Sequence, residues 1–197
     1  MLRVKLSLSS AFFVTLFFML SNCSENSINE KASISESAAV EQIFEAGEKA
    51  ILKKRYSDAA DQFREVERLY PYSDWARRAL IMQAYSFYKN KSYGNVISAA
   101  NRFIEFNPND DDVPYAYYLI GLSYYDQVQE IGRDQKLTAE ALKVFKLIMD
   151  EFPNSEYSIK SELRFDFLQN QLASKEMEIG RYYLKRSHYA PAINRFR

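Results

Sequence analysis

The chain has 197 residues, 47% hydrophobic and 26% charged, a composition that supports a packed core and excludes global disorder. Its formal net charge is zero, which argues against a nucleic-acid partner, because phosphate binding needs a basic excess. Five glycines and five prolines leave few helix breakers, and a lone cysteine excludes an internal disulfide.

In chain order, the first element is an address. Arg3 and Lys5 precede an apolar stretch from Leu6 to Leu20, shorter than the ~20 residues a membrane span needs and typical of a signal-peptide core. It ends Leu20-Ser21-Asn22-Cys23, which resembles a bacterial lipobox, with Asn22 in place of the usual small residue. The resemblance implies a signal peptide over 1–22 and lipidation, palmitate included, at Cys23. Ser24 in the following position implies sorting to the outer membrane. Residues 23–37 are rich in Ser, Asn, Glu and Lys and are expected to form a flexible tether reaching roughly 20 Å.

From Ala38 the pattern is helical and paired. Tyr70-Pro71, Asn107-Pro108 and Phe152-Pro153 each close a unit. Counting back from Pro71 gives Phe63, Ala59 and Gly47. From Pro153 the same spacing gives Ile148, Phe145 and Ala141, with Gly121 on the first helix. From Pro108 it gives Phe103, Ala100, Val96 and Ala84. Small residues that let two helices approach, with an aromatic filling the wedge to the next pair, are the tetratricopeptide pattern. The sequence therefore predicts an all-α fold, a tetratricopeptide superhelix of antiparallel helix pairs. The units are expected at 38–75, 76–112 and 113–155. The third carries about eight residues beyond the usual repeat, expected as an inter-helix loop over 128–137.

A fourth unit is expected over 156–197. Gly180, Tyr183, Ala192 and Phe196 fit one register, and one long first helix, roughly Tyr157 to Arg186, keeps the same face inward. Solenoids need polar-faced caps. The pattern stops at Arg197 inside a second helix, so further repeat sequence or a partner is expected to cover that end.

The first helices of such pairs line a groove. The positions expected there are Ile81, Tyr85, Tyr88, Tyr115, Tyr118, Leu122 and Tyr125. Tyrosine offers broad contact with a hydroxyl handle, so the face suits an extended peptide ending in aromatic residues. Packing between neighbouring helices is the competing role for each tyrosine. No catalytic residue, metal or cofactor is expected. His188 stands alone at a predicted turn. Asp110-Asp111-Asp112 lacks the ligand spacing of a calcium loop, and helix capping explains it better.

Several segments carry a family resemblance: Leu69-Tyr70-Pro71-Tyr72-Ser73, Asn101-Arg102-Phe103-Ile104, Gly132-Arg133-Asp134-Gln135, Phe152-Pro153-Asn154-Ser155-Glu156-Tyr157, Gly180-Arg181-Tyr182-Tyr183 and Ala192-Ile193-Asn194-Arg195-Phe196. Together they resemble the BamD (ComL) family of outer-membrane β-barrel assembly lipoproteins. The resemblance implies a non-enzymatic scaffold, lipid-anchored on the periplasmic face of the outer membrane. Its implied partners are unfolded outer-membrane proteins, other assembly lipoproteins and a POTRA domain of the barrel-forming subunit. Arg195 falls where that family's arginine is expected to meet a POTRA carboxylate. The alternative is a periplasmic tetratricopeptide adaptor that recruits cell-wall enzymes.

Overall fold

Serines cap two of the helices in this chain, and a proline follows the end of three. The computed structural model describes residues 24–131 and 135–197. Among these, every regular element is an α-helix: α1 (Ser24–Leu52), α2 (Tyr56–Leu69), α3 (Asp74–Lys89), α4 (Tyr93–Phe106), α5 (Val113–Ile131), α6 (Gln135–Glu151), α7 (Glu156–Lys185) and α8 (Tyr189–Phe196). None is long and apolar enough to cross a membrane. Residues 43–197 form one compact unit, and those up to Gln42 belong to another.

Two kinds of turn alternate along the compact unit. Between pairs, Pro71, Pro108 and Pro153 cannot continue a helix. Ser73 then caps α3 by accepting from the Ala76 amide at 3.1 Å, and Ser155 caps α7 by accepting from the Tyr157 amide at 3.2 Å. Asp110 accepts from the Asp112 amide at 2.9 Å just before α5. Within pairs, the turn is left-handed at Lys54, Lys91 and Ser187, with φ near 57–60°. The Arg55 amide reaches back to the Ala50 carbonyl, Ser92 to Phe87 and His188 to Tyr183. This closes three turns of the Schellman type that normally favour glycine.

Consecutive helices from α2 to α8 pack on each other, and α3 meets α5 as α5 meets α7. The inner helices therefore lie side by side. Glycines set the closest approaches. A Cβ at Gly47 would lie 2.8 Å from the Phe63 ring, and one at Gly121 would lie 2.6 Å from Phe145. Phe196 occupies the same place over Gly180. The second pair solves the problem differently, with Ala84 and Ala100 fully buried at the corresponding positions. Where the first helix offers glycine, the second supplies phenylalanine. Where it offers alanine, the second supplies alanine.

Two expectations are corrected. The tether expected over 23–37 is helical from Ser24 onward, continuous with the rest of α1. No Gly or Pro interrupts the run from Ser24 to Ala46, and extending an existing helix costs far less than starting one. The loop expected over 128–137 is mostly helix. α5 runs to Ile131 and α6 begins at Gln135, so the added residues lengthen both helices past the point where other pairs turn. Residues 132–134, like Cys23 and the signal peptide, lie outside the described residues.

Candidate functional site

The inner helices α3 and α5 present the residues expected to form a peptide groove, at different depths. Ile81, Tyr118 and Leu122 are buried, at 6%, 7% and 8% exposure. These three back the face instead of lining it, because each inner helix is partly covered by the next. Tyr85, Tyr88, Tyr115 and Tyr125 are half-buried and border solvent. The Tyr88 hydroxyl donates to the Asp126 carboxylate at 2.8 Å, tying α3 to α5.

The N-terminal half of α7 supplies the cover. Tyr157 packs its ring 5.2 Å from Tyr115 and 5.3 Å from Tyr118, while Phe167 stands edge-on to Tyr125 at 6.0 Å. The Arg164 guanidinium lies 5.3 Å over Tyr118 and 5.8 Å over Tyr125. The sequence assigns none of these α7 residues to the groove, since spacing along one helix does not say which rings a neighbouring helix will cover. On the same half of α7, Leu163 is 70% exposed.

The environment raises several phenol pKa values. Burial comes first for Tyr88, with the bond to Asp126 adding to it, and its phenol moves well above the ordinary tyrosine range. Burial also raises Tyr115. Tyr118 is raised by burial, and the Arg164 charge opposes that shift. Tyr157 is pushed up to about 12 by burial and by Glu156. These tyrosines are neutral hydroxyl donors at physiological pH and are poor general bases.

A second cleft, of about 780 Å³, opens between α2, α3 and α4, with Arg68, Arg77, Arg102, Tyr72 and Phe106 among its lining residues. Its arginines are committed to the fold. Arg102 pairs with Glu67 at 2.5 Å and Arg77 with Asp110 at 2.6 Å. Arg102 also reaches Gln83, whose amide donates to the Ala60 carbonyl at 3.2 Å.

Arg195, expected to dock a partner, donates from Nη1 to Glu176 of α7 at 2.7 Å. Its side chain is 46% exposed, so the guanidinium keeps open faces. His188 stands at the N-cap position of α8, at the predicted turn, without a capping bond from its side chain.

Comparison with known proteins bears on what this face serves. A family model described as outer membrane lipoprotein (YfiO) matches residues 36–197. The outer membrane protein assembly factor BamD of Caulobacter vibrioides is 38% identical over 162 residues, covering 82% of this chain and 53% of that protein. Its namesake in Rickettsia prowazekii is 36% identical over 159 residues, covering 81% of this chain and 63% of that protein. The one from Neisseria meningitidis serogroup A is 29% identical over 193 residues, covering 92% of this chain and 72% of that protein. The chain thus spans just over half the length of the first relative and under two-thirds of the second. The family match begins within α1 and runs to Arg197, taking in every helix pair of the compact unit, and the chain belongs to the YfiO family of outer membrane lipoproteins.

Proposed function

We propose that this protein is a non-enzymatic scaffold of outer-membrane protein assembly, holding unfolded outer-membrane proteins on its inner face and a barrel-forming subunit through its last helix pair. The observation that carries the reading is the tyrosine-lined inner face across α3 and α5 in a chain of this family. Tyr85, Tyr88, Tyr115 and Tyr125 offer rings and neutral hydroxyls to an extended segment, and Ile81, Tyr118 and Leu122 hold them from behind. Relatives bearing the assembly-factor name support the direction of the reading.

In this reading Cys23 carries the lipid, anchoring the chain to the periplasmic face of the outer membrane beside other assembly lipoproteins. Arg195 meets a carboxylate of a POTRA domain through the faces its bond to Glu176 leaves open. The test is co-purification from gently solubilised envelopes. A large outer-membrane barrel protein is expected with the native chain and is expected to be lost with Arg195→Glu. Recovery of peptidoglycan hydrolases with no barrel protein would replace this reading with that of an adaptor for cell-wall enzymes.

A further inference from the structure

Six of the eleven described arginines of the compact unit have a carboxylate. Arg55, Arg64, Arg68, Arg77, Arg102 and Arg195 are each ion-paired. Among the described residues Arg78, Arg164, Arg181, Arg186 and Arg197 are not, and of these Arg164 alone is half-buried while the others are exposed. The Arg164 Nη1 donates to the Lys160 carbonyl at 3.0 Å, and its Nε is buried with no acceptor. Its guanidinium is held over two tyrosine rings of the inner face. The acids nearby are engaged elsewhere. Asp126 accepts the Tyr88 hydroxyl, and Glu156 accepts from Lys160 at 2.7 Å.

This arrangement is costly for a purely structural residue. A half-buried guanidinium with an unmet donor loses hydration that only an acceptor restores. Stacking on Tyr118 and Tyr125 offsets part of that loss and fixes the plane of the group. A planar, immobilised guanidinium next to a strip of aromatic side chains is preorganised for one kind of anion, a carboxylate taken through a two-pronged bond. Phosphate is less suited, because burial against rings leaves one face of the fork and the neighbouring cation, Lys160, is paired with Glu156.

We propose that Arg164 reads a carboxylate on the peptide held by the inner face, which rests on the peptide-holding reading above. An extended peptide laid along Tyr85, Tyr88 and Tyr125 buries its aromatic side chains there and presents a carboxylate to the guanidinium. The group comes from the peptide's C-terminus or from an acidic side chain. Capture of a free chain end is a recurring way to recognise an extended peptide.

The test compares three fluorescent peptides of one aromatic-rich sequence on the whole chain by anisotropy. One is a free acid, one a C-terminal amide, and one an amide with Glu placed beside the terminal aromatic. The free acid is expected to bind about tenfold tighter than the plain amide, the order of one charge-assisted hydrogen bond. In Arg164→Gln that gap closes, whatever shift in affinity the free acid and the plain amide share. Arg164→Lys keeps only part of the gap, because the fork is gone. If the Glu-containing amide recovers tight, Arg164-dependent binding and the free acid gains nothing, the carboxylate comes from a side chain and the role of Arg164 stands. Equal binding of all three peptides to the native chain overturns the proposal without any variant, so a misfolded Arg164→Gln would not shelter it. Binding of none of them overturns the peptide-holding reading itself.

Discussion

Gly121→Ala is the sharpest probe of how the helix pairs are held together. The new Cβ would sit 2.6 Å from Cε1 of Phe145, a fully buried ring. Relief requires the ring to retreat by most of an ångström. It has little room, since Tyr118 and Tyr125 lie 6.4 Å and 6.3 Å from it, centroid to centroid. Overpacking of this kind costs about 1–3 kcal/mol, and the top of that range applies where the neighbours are themselves confined. Alanine returns up to about 1 kcal/mol in helix propensity. The net loss is about 2 kcal/mol, or roughly 4–8 °C in Tm for a chain of this size. Gly94→Ala is the internal control. Nothing lies within 4 Å of its Cβ position, so propensity alone acts and the variant gains up to about 1 kcal/mol. Thermal and urea melts followed by circular dichroism at the helical band measure both. A Gly121→Ala protein as stable as its parent would refute the idea that Gly–Phe contacts set the spacing within pairs. Gly121→Ala combined with Phe145→Leu should lose less than the sum of the two single changes.

Other consequences are equally open to measurement. Lys54→Gly, Lys91→Gly and Ser187→Gly should each stabilise the chain by up to about 1 kcal/mol in urea melts, because each relieves a left-handed non-glycine residue; uniform destabilisation would mean that these side chains make contacts worth more than the strain. Arg102→Ala, which removes the Glu67 pair and the bond to Gln83, should cost about 1 kcal/mol, against less than about 0.5 kcal/mol for Arg55→Ala at an exposed pair; equal losses would deny Arg102 a role in joining α2 to α4. Alkaline pH should weaken the fold. The unfolded chain loses its phenol protons near pH 10, whereas Tyr157 in the folded chain holds its proton to about 12 and Tyr88 beyond that. The folded state therefore binds more protons in that window, and stability falls as pH rises through it. Tyr88→Phe should flatten the fall, and an unchanged slope would show that the phenol is not shielded.

Much of this architecture is legible from spacing. Pro71, Pro108 and Pro153 mark the turns between pairs, and the small and aromatic positions around Gly47 and Phe63, or Gly121 and Phe145, identify the contacts within them. These signals are local and steric, so one sequence carries them. The stretch around Val128 misleads for a physical reason. Residues added to a repeat can loop out or lengthen two helices, and apolar Val128 and Ile131 with helix-forming neighbours favour lengthening. Residues 24–37 mislead in the opposite way, because Ser and Asn are weak helix formers alone yet are carried along by a helix already nucleated downstream. The inner face is the least legible part. Position along α5 marks Tyr118 as inward-facing, but its cover comes from Tyr157 and Arg164, which arrive from another helix.

The central claim is that the inner face, and not the outer surface, holds the polypeptide being assembled. A photo-crosslinking side chain at Tyr85 tests it in living cells, with the fully exposed Tyr72 in the outer cleft as reference. Crosslinks are expected from position 85 to outer-membrane barrel proteins that have not yet folded, with few or none from position 72. Crosslinks of equal strength from both positions, or from position 72 alone, would contradict it.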